Sequence, residues 1–432
     1  MSRRAPRRRR AWIACAVLAA AVAPGARLAA QSAAPDSAPL TLDEALREAR
    51  AHNAQLPVAS LALQGAIARL SQARGLRYPT LSLDGDLHGG APAKYASNDA
   101  LFRVLAQAPL YLGGALRAGV AQAGAEADAM RAGYRVAVRD VDFAVRVAYG
   151  RVVHAQRSLE FRERGVARLR AYLSVVESRR AAGQGVGADL LTTRQRLATT
   201  EADIATVQRD LDEARMALND LLGRAPLDPL ALAPLAAPAP PPDTSGEPWS
   251  TAPDLAQSEA QVRAASAGVQ VARAGRKPQL LLQADAGVQP LLGGQDLAPL
   301  DNGRGWGGQI LLLFSLPFWD HGVYRGRVDE ATAALDQARQ QQRVMTRAAR
   351  LAWSSAYADV VDLYREYQAR DQAATVARDA YLQAESLYRG GQGTALLVLD
   401  AYDAWVQADQ SRIDVDYGYR VAEANLMRWG TP

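Results

Sequence analysis

At 432 residues the chain is long enough for two or three ordinary domains. Its formal charge of +5 at pH 7 points at first sight to an acidic partner, but seven arginines (Arg3, Arg4, Arg7, Arg8, Arg9, Arg10 and Arg27) fall in the first thirty residues, where there is no acid. Without that segment the charge becomes −2, which sets nucleic-acid binding aside.

The N-terminus reads as a secretory signal peptide over residues 1–30: arginines, an apolar run from Ala11 to Ala23, then small residues before Gln31. The run is too short to span a bilayer as a helix. Cys15, the only cysteine, lies inside it, so the expectation is an unlipidated mature chain starting near Gln31 with no thiol chemistry. No later stretch reaches about 18 apolar residues, which excludes an α-helical membrane protein. A β-barrel is still open, because its strands give only a weak alternating signal.

Residues 41–77 read as a helix, with Thr41 and Glu44 spaced as a capping box and Pro79 beyond the end. Leu81-Ser82-Leu83-Asp84-Gly85-Asp86-Leu87-His88 alternates apolar and polar and predicts a strand over about 80–88, and a second strand follows at about 102–111. From 113 to 181 no proline intervenes, and apolar residues recur in steps of four and three, among them Val141, Val145, Ala148, Val152, Ala155 and Leu159. That is a coiled-coil seam on a helix about 100 Å long at 1.5 Å per residue. Met130, Tyr134 and Val138 are spaced four and four, which locally unwinds the supercoil. A glycine-rich turn leads into a return helix at 186–222 with Leu190, Leu197, Ile204, Leu211 and Leu218 at sevens, making an αα-hairpin. Residues 224–250 form a Pro- and Ala-rich linker, too rigid and too poor in pattern for a core element.

The plan then starts again. Pro79 matches Pro278 at an offset of 199, and Pro109, Tyr149, Gly183 and Leu191 match Pro317, Tyr357, Gly391 and Leu399 at an offset of 208. Residues 31–250 and 251–432 are therefore two copies of one helix-strand-strand-helix-helix unit. The second copy comprises a helix at 252–277, strands at about 280–289 and 306–318, and helices at 322–389 and 394–429. The return helix and the helix 252–277 together match the long helix in length, so they are expected to run beside it end to end. The helices 394–429 and 41–77 are expected to do the same for the second long helix.

Leu81, Leu83, Leu282, Ile310, Leu312 and Phe314 form the apolar, lipid-facing side of the strands, with Trp306, Phe318 and Trp319 near two ends. The core of a sandwich is the other reading of these runs. Four strands cannot close a membrane barrel, and lipid tolerates no open edge, so several copies must each donate four.

Leu40-Thr41-Leu42-Asp43-Glu44-Ala45-Leu46, the Pro79-Thr80-Leu81 strand start, the duplicated hairpins and Tyr388, Gly391 and Val398-Leu399-Asp400-Ala401 together resemble the TolC family of outer-membrane efflux channels. The resemblance implies a mainly α fold with four β-strands per chain, assembled as a homotrimer. Its 12-stranded β-barrel would be continued by a periplasmic α-helical barrel of coiled-coil hairpins. It also implies a periplasmic adaptor and an inner-membrane pump as partners, outer-membrane lipid around the barrel, and no cofactor. The hairpin tips that meet the adaptor would be Gly183, Gly185 and Gly187, with Gly391, Gly393 and Thr394. The periplasmic gate would include Tyr388 and Asp400. Leu397 and Gly393 stand where the family places an aspartate and an arginine, and Asp189 is a substitute charge. Tyr388 is expected to hydrogen-bond between neighbouring helices there.

An enzyme needs converging acid, base or nucleophile groups. His52, His88, His154 and His321 are scattered without metal spacing, so neither catalysis nor a metal site is expected. The competing function is a periplasmic coiled-coil adaptor that never enters the membrane. Two repeated strand pairs argue against it.

Overall fold

The computed structural model describes residues 39–88, 99–184, 186–242, 246–288 and 306–430. The expected signal segment and Gly185 lie outside them. In chain order the elements are α1 (Leu42–His52), α2 (Gln55–Gly75), β1 (Thr80–His88), β2 (Asp99–Leu112), α3 (Ala115–Ala181) and α4 (Gly187–Leu222). A 3-10 turn (Pro248–Thr251) then precedes α5 (Pro253–Ala274), β3 (Gln279–Val288), β4 (Trp306–Ser315), α6 (Val323–Arg389) and α7 (Ala395–Trp429).

The strands form one antiparallel sheet in the order β1-β2-β3-β4. Its register aligns Leu81 with Ala106, Ala284 and Ile310, and Leu83 with Val104 and Ala286, so one face is apolar across all four strands. Leu282, Leu312 and Phe314 share that face. On it Leu81, Ile310 and Phe314 are 76%, 77% and 67% exposed, which a sandwich core would not allow. The opposite face is mixed, with Leu105, Leu281, Leu311 and Leu313 beside polar pairs: Arg103 lies 3.9 Å from Asp84, Gln107 bonds Gln283, and Gln309 donates to Asp285 at 3.1 Å. β4 stops at Ser315, short of the expected 318, because Pro317 has no N–H for the ladder.

The expected helix 41–77 is two helices. Thr41 and Glu44 complete the capping box of α1, but Asn53 ends it. This residue is 5% exposed, donates to the Leu221 carbonyl and accepts from the Gln55 amide, so its side chain replaces the helical bonds of the main chain. Gly223, at φ 73, closes α4 against the same point, where a Cβ would come within 2.8 Å of the His52 carbonyl oxygen.

The two 67-residue helices α3 and α6 are each about 100 Å long. Near the sheet α3 packs between α2 and α5; farther along it packs against α4 and α7. This two-sided packing explains why Ala123, Ala125, Ala127, Ala129 and Ala132 are all buried, which a single seam would not predict. α6 packs against α5 and then α7. The α1–α2 pair does not flank α6, contrary to expectation: Ala45, Leu46 and Ala49 pack into the core of Val141, Val145 and Val152 on α3. One side of α6 is left uncovered, with Val344 and Leu351 66% and 71% exposed.

The Pro-rich linker also departs from expectation. Leu230 is buried in the α3 core, and Leu40 bridges Leu232 through main-chain bonds to Ala231 and Ala233. Distant side chains hold the linker's carbonyls: Asn219 donates to those of Pro226 and Asp228, Arg157 to that of Leu235, Arg420 to that of Ala236 and Tyr419 to that of Ala239. The Tyr149 hydroxyl lies 2.7 Å from the Ala233 carbonyl. Proline leaves these carbonyls without helix or sheet partners, so long side chains from three helices satisfy them.

Candidate functional site

The two hairpin tips are built alike. At the end of α3 the Gln184 amide donates to the Arg179 carbonyl and Gly183 to Arg180; at the end of α6 Gln392 donates to Leu387 and Gly391 to Tyr388. These are paired Schellman closures, and Gly183 and Gly391 supply the left-handed residue at φ 72 and 78. A Cβ on Gly393 would come within 3.0 Å of the Tyr388 amide nitrogen. Thr394 caps α7 by accepting from the Leu397 amide at 3.2 Å. At Gly183 and Gly187 a Cβ would meet nothing within 4 Å, but Gly183 is held at a positive φ, whereas Gly187 is not.

Just above the tips, the hairpins meet through aromatic packing. Tyr388, 4% exposed, faces Tyr172 with ring centroids 5.3 Å apart. The Arg179 guanidinium lies 4.8 Å from the centre of the Tyr388 ring and donates to the Tyr388 carbonyl. One side chain of the first repeat thus grips both the ring face and the main chain of the second. Burial raises the pKa of Tyr172 and of Tyr388, and the negative charge of Asp189 adds to both shifts. Behind this pair Tyr381 stacks on Trp405 at 5.5 Å, and Phe161 meets Trp405 edge-on. Burial pushes the Tyr381 hydroxyl up to about 12.

The expected gate residues separate into two sets. Tyr388 and Asp189 share one environment. Leu397 and Asp400 lie one helical turn apart and exposed on α7, and among the described residues no hydrogen bond or ion pair joins Asp400 to Tyr388. Asp400 instead adds repulsion to Asp403, whose pKa is raised first by burial and is held back by Arg196 at 2.5 Å. Among the described residues no group of His, Cys, Asp or Glu is placed to hold a metal ion, and no helix is long and apolar enough to cross a membrane.

The sequence pattern of one family, described as outer membrane efflux protein, matches residues 45–224 and 249–429, the two repeats. The chain belongs to this family. It is 30% identical over 258 residues to the pyoverdine export outer membrane protein OpmQ of Pseudomonas putida, a stretch covering 56% of this chain and 51% of that one. It is 25% identical over 319 residues to a probable outer membrane lipoprotein, SilC, of Salmonella typhimurium, covering 70% and 65%. The chain therefore aligns with about half to two thirds of each relative's length. The fold matches the CusC crystal structure with a TM-score of 0.81 at 22% identity, over 90% of this chain and 92% of that one. This is a transport family and not an enzyme family.

Arg179 and Tyr172 escape sequence reading in this efflux protein. A basic residue in the last helical turn is ordinarily explained by the helix dipole, so Arg179 carries no distinguishing signal. Tyr172 falls between seam positions and reads as filler.

Proposed function

We propose that this efflux protein is the outer-membrane channel subunit of a tripartite export system. In this reading it acts as a homotrimer that receives small molecules from an inner-membrane pump through a periplasmic adaptor. The observation that carries the reading is a pair of open edges at both levels of one chain. In the sheet, β1 and β4 each lack a neighbour on one side among the described residues, while one whole face is apolar and exposed. In the helical layer, α6 is uncovered on one side, and α2 shows Val58 and Leu61 69% and 63% exposed on the other. A ring of copies satisfies both at once, and three copies give twelve strands. Leu81, Leu83, Leu282, Ile310, Leu312 and Phe314 then face lipid. The α1–α2 pair, which does not flank α6 of its own chain, is available to flank α6 of the next.

The tips meet the adaptor, and the Arg179–Tyr388 contact is the latch that holds the two hairpins of a subunit together in the closed mouth. Asp400 and Leu397 line the narrow passage as exposed residues repeated three times. Expression in a Gram-negative host tests the reading. The protein should fractionate with the outer membrane, run as a trimer in detergent and conduct in planar bilayers. A folded monomer in detergent would overturn it, and a water-soluble periplasmic product would favour the adaptor instead.

A further inference from the structure

Every strand joins a helix at the same end of the sheet, so the four junctions lie at one level of the molecule. Residues 74–79, 112–118, 273–279 and 316–327 make up that level, and their charge is one-sided. Arg74 and Arg77 lie at the end of α2, and Arg273, Arg276 and Lys277 at the end of α5. Arg117 opens α3, and Arg325 and Arg327 open α6, against a single acid, Asp320. That acid is engaged in capping α6 through the Gly322 and Tyr324 amides, which lower its pKa. Arg325 pairs with Asp329 at 3.8 Å. The other seven cations are exposed and have no ion pair among the described residues.

Helix dipoles account for the cations that follow α2 and α5, because a positive charge is favourable at a helix C-terminus. Arg327 rests over the Tyr324 ring at 5.5 Å. Arg117 is not accounted for in either way: it stands in the first turn of α3, where the dipole opposes it, and has no bonded partner among the described residues. Arg77 and Arg117 line one cavity of about 340 Å³ together with Leu110, Tyr111 and Leu116. Tyr111 pairs across the sheet with Leu280, and Leu280 with Phe314, which places it on the apolar face. The cavity thus has two arginines in its lining and, through Tyr111, adjoins the apolar sheet face, the outline of an amphiphile with an anionic head.

We propose that this cavity binds an anionic glycerophospholipid of the periplasmic leaflet. Its phosphodiester lies between Arg77 and Arg117, and an acyl chain runs along Tyr111, Leu280 and Phe314. Guanidinium forks suit a phosphate better than an ammonium does, which fits the use of arginine at both positions. The inference rests on the reading that the sheet lies in the outer membrane.

The test uses the full-length protein reconstituted in phosphatidylethanolamine vesicles with and without phosphatidylglycerol, followed by native mass spectrometry of the extracted trimer. Wild type should retain phosphatidylglycerol several-fold over phosphatidylethanolamine. The double variant Arg77→Gln/Arg117→Gln should lose that preference, and Arg343→Gln, an exposed arginine far along α6, should keep it. If the double variant does not assemble, Arg117→Gln alone reads the same loss, since its side chain has no bonded partner within the described chain. Equal retention of both lipids, or an unchanged preference in the Arg77/Arg117 variants, overturns the inference. So does inorganic phosphate that strips the lipid and stays bound in its place, which marks a bare anion site. Protein that does not float with the vesicles overturns the channel reading as well, whereas flotation without a lipid preference overturns this inference alone.

Discussion

Removing the Arg179 side chain should loosen the closed mouth. Its hydrogen bond to the Tyr388 carbonyl is charge-assisted and its guanidinium rests on the Tyr388 ring. A charged hydrogen bond is worth about 1.5–3 kcal/mol and a cation–π contact about 0.5–2 kcal/mol. The two are not additive, because they share one side chain that is partly open to water, so the loss in Arg179→Ala is about 2 kcal/mol per subunit. If opening separates the two hairpins, that loss raises the open-to-closed ratio about 30-fold per subunit, at tenfold per 1.4 kcal/mol. Single-channel recording in planar bilayers reads this directly as open probability. Tyr388→Phe keeps both the carbonyl and the ring face, so it should leave the Arg179 latch nearly intact. Unchanged gating in Arg179→Ala, or a larger effect from Tyr388→Phe than from Arg179→Ala, would refute the reasoning.

Four further outcomes are expected. Leu312→Arg, on the exposed apolar face, should cost about 2–4 kcal/mol if the residue lies near the bilayer midplane, measured by urea unfolding of the trimer in lipid. Gly187→Leu should abolish export with trimer and conductance intact, because a side chain there meets nothing within the chain; normal export would argue that this part of the tip does not dock. Arg224 grips both oxygens of Glu48 at 2.5 and 2.6 Å and lowers its pKa. That bridge stabilises the protein above the ordinary value of 4.5 and is lost as pH falls through the lowered one, so circular-dichroism melts should show a fall in acid that Glu48→Gln flattens. Asp400→Ala should reduce cation selectivity in bilayers, since in the proposed trimer Asp400 would form a ring of three carboxylates that attracts cations.

Elements whose cause is local were legible in the sequence. The alternation from Leu280 to Val288 gave the sheet face, and the steps of four and three gave α3 and α6, because each pattern follows from the geometry of its own segment. What could not be read depends on partners far along the chain. Asn53 breaks a helix only because the Leu221 carbonyl is there to receive its amide. Residues 226–239 lie along the helices, with Leu230 in the core, only because Tyr149, Arg157, Tyr419 and Arg420 reach their carbonyls. At the candidate gate the residue types were visible but not their grouping. Whether Tyr388 turns toward Tyr172 or toward Asp400 is decided by how two hairpins separated by some two hundred residues pack together.

That packing has a mechanical consequence for opening. The linker carbonyls tie α3, α4 and α7 to one strap, and buried Asp416 braces it further by pairing with both Arg157 and Arg420. Sliding the helices at this level would leave several carbonyls and a buried carboxylate unsatisfied at once, at about 1–3 kcal/mol each. At the tip end, the Schellman turns satisfy their own main-chain groups within each hairpin, so separating the hairpins there breaks no main-chain pairing of either turn. The resistance at that level comes from the Tyr172, Tyr381 and Trp405 cluster, from Arg179 and from the Arg196–Asp403 ion pair between α4 and α7. In the proposed channel, opening of the mouth is therefore expected as a pivot of the α6–α7 hairpin about the strap, with the aromatic cluster sliding and Arg179 and the Arg196–Asp403 pair letting go.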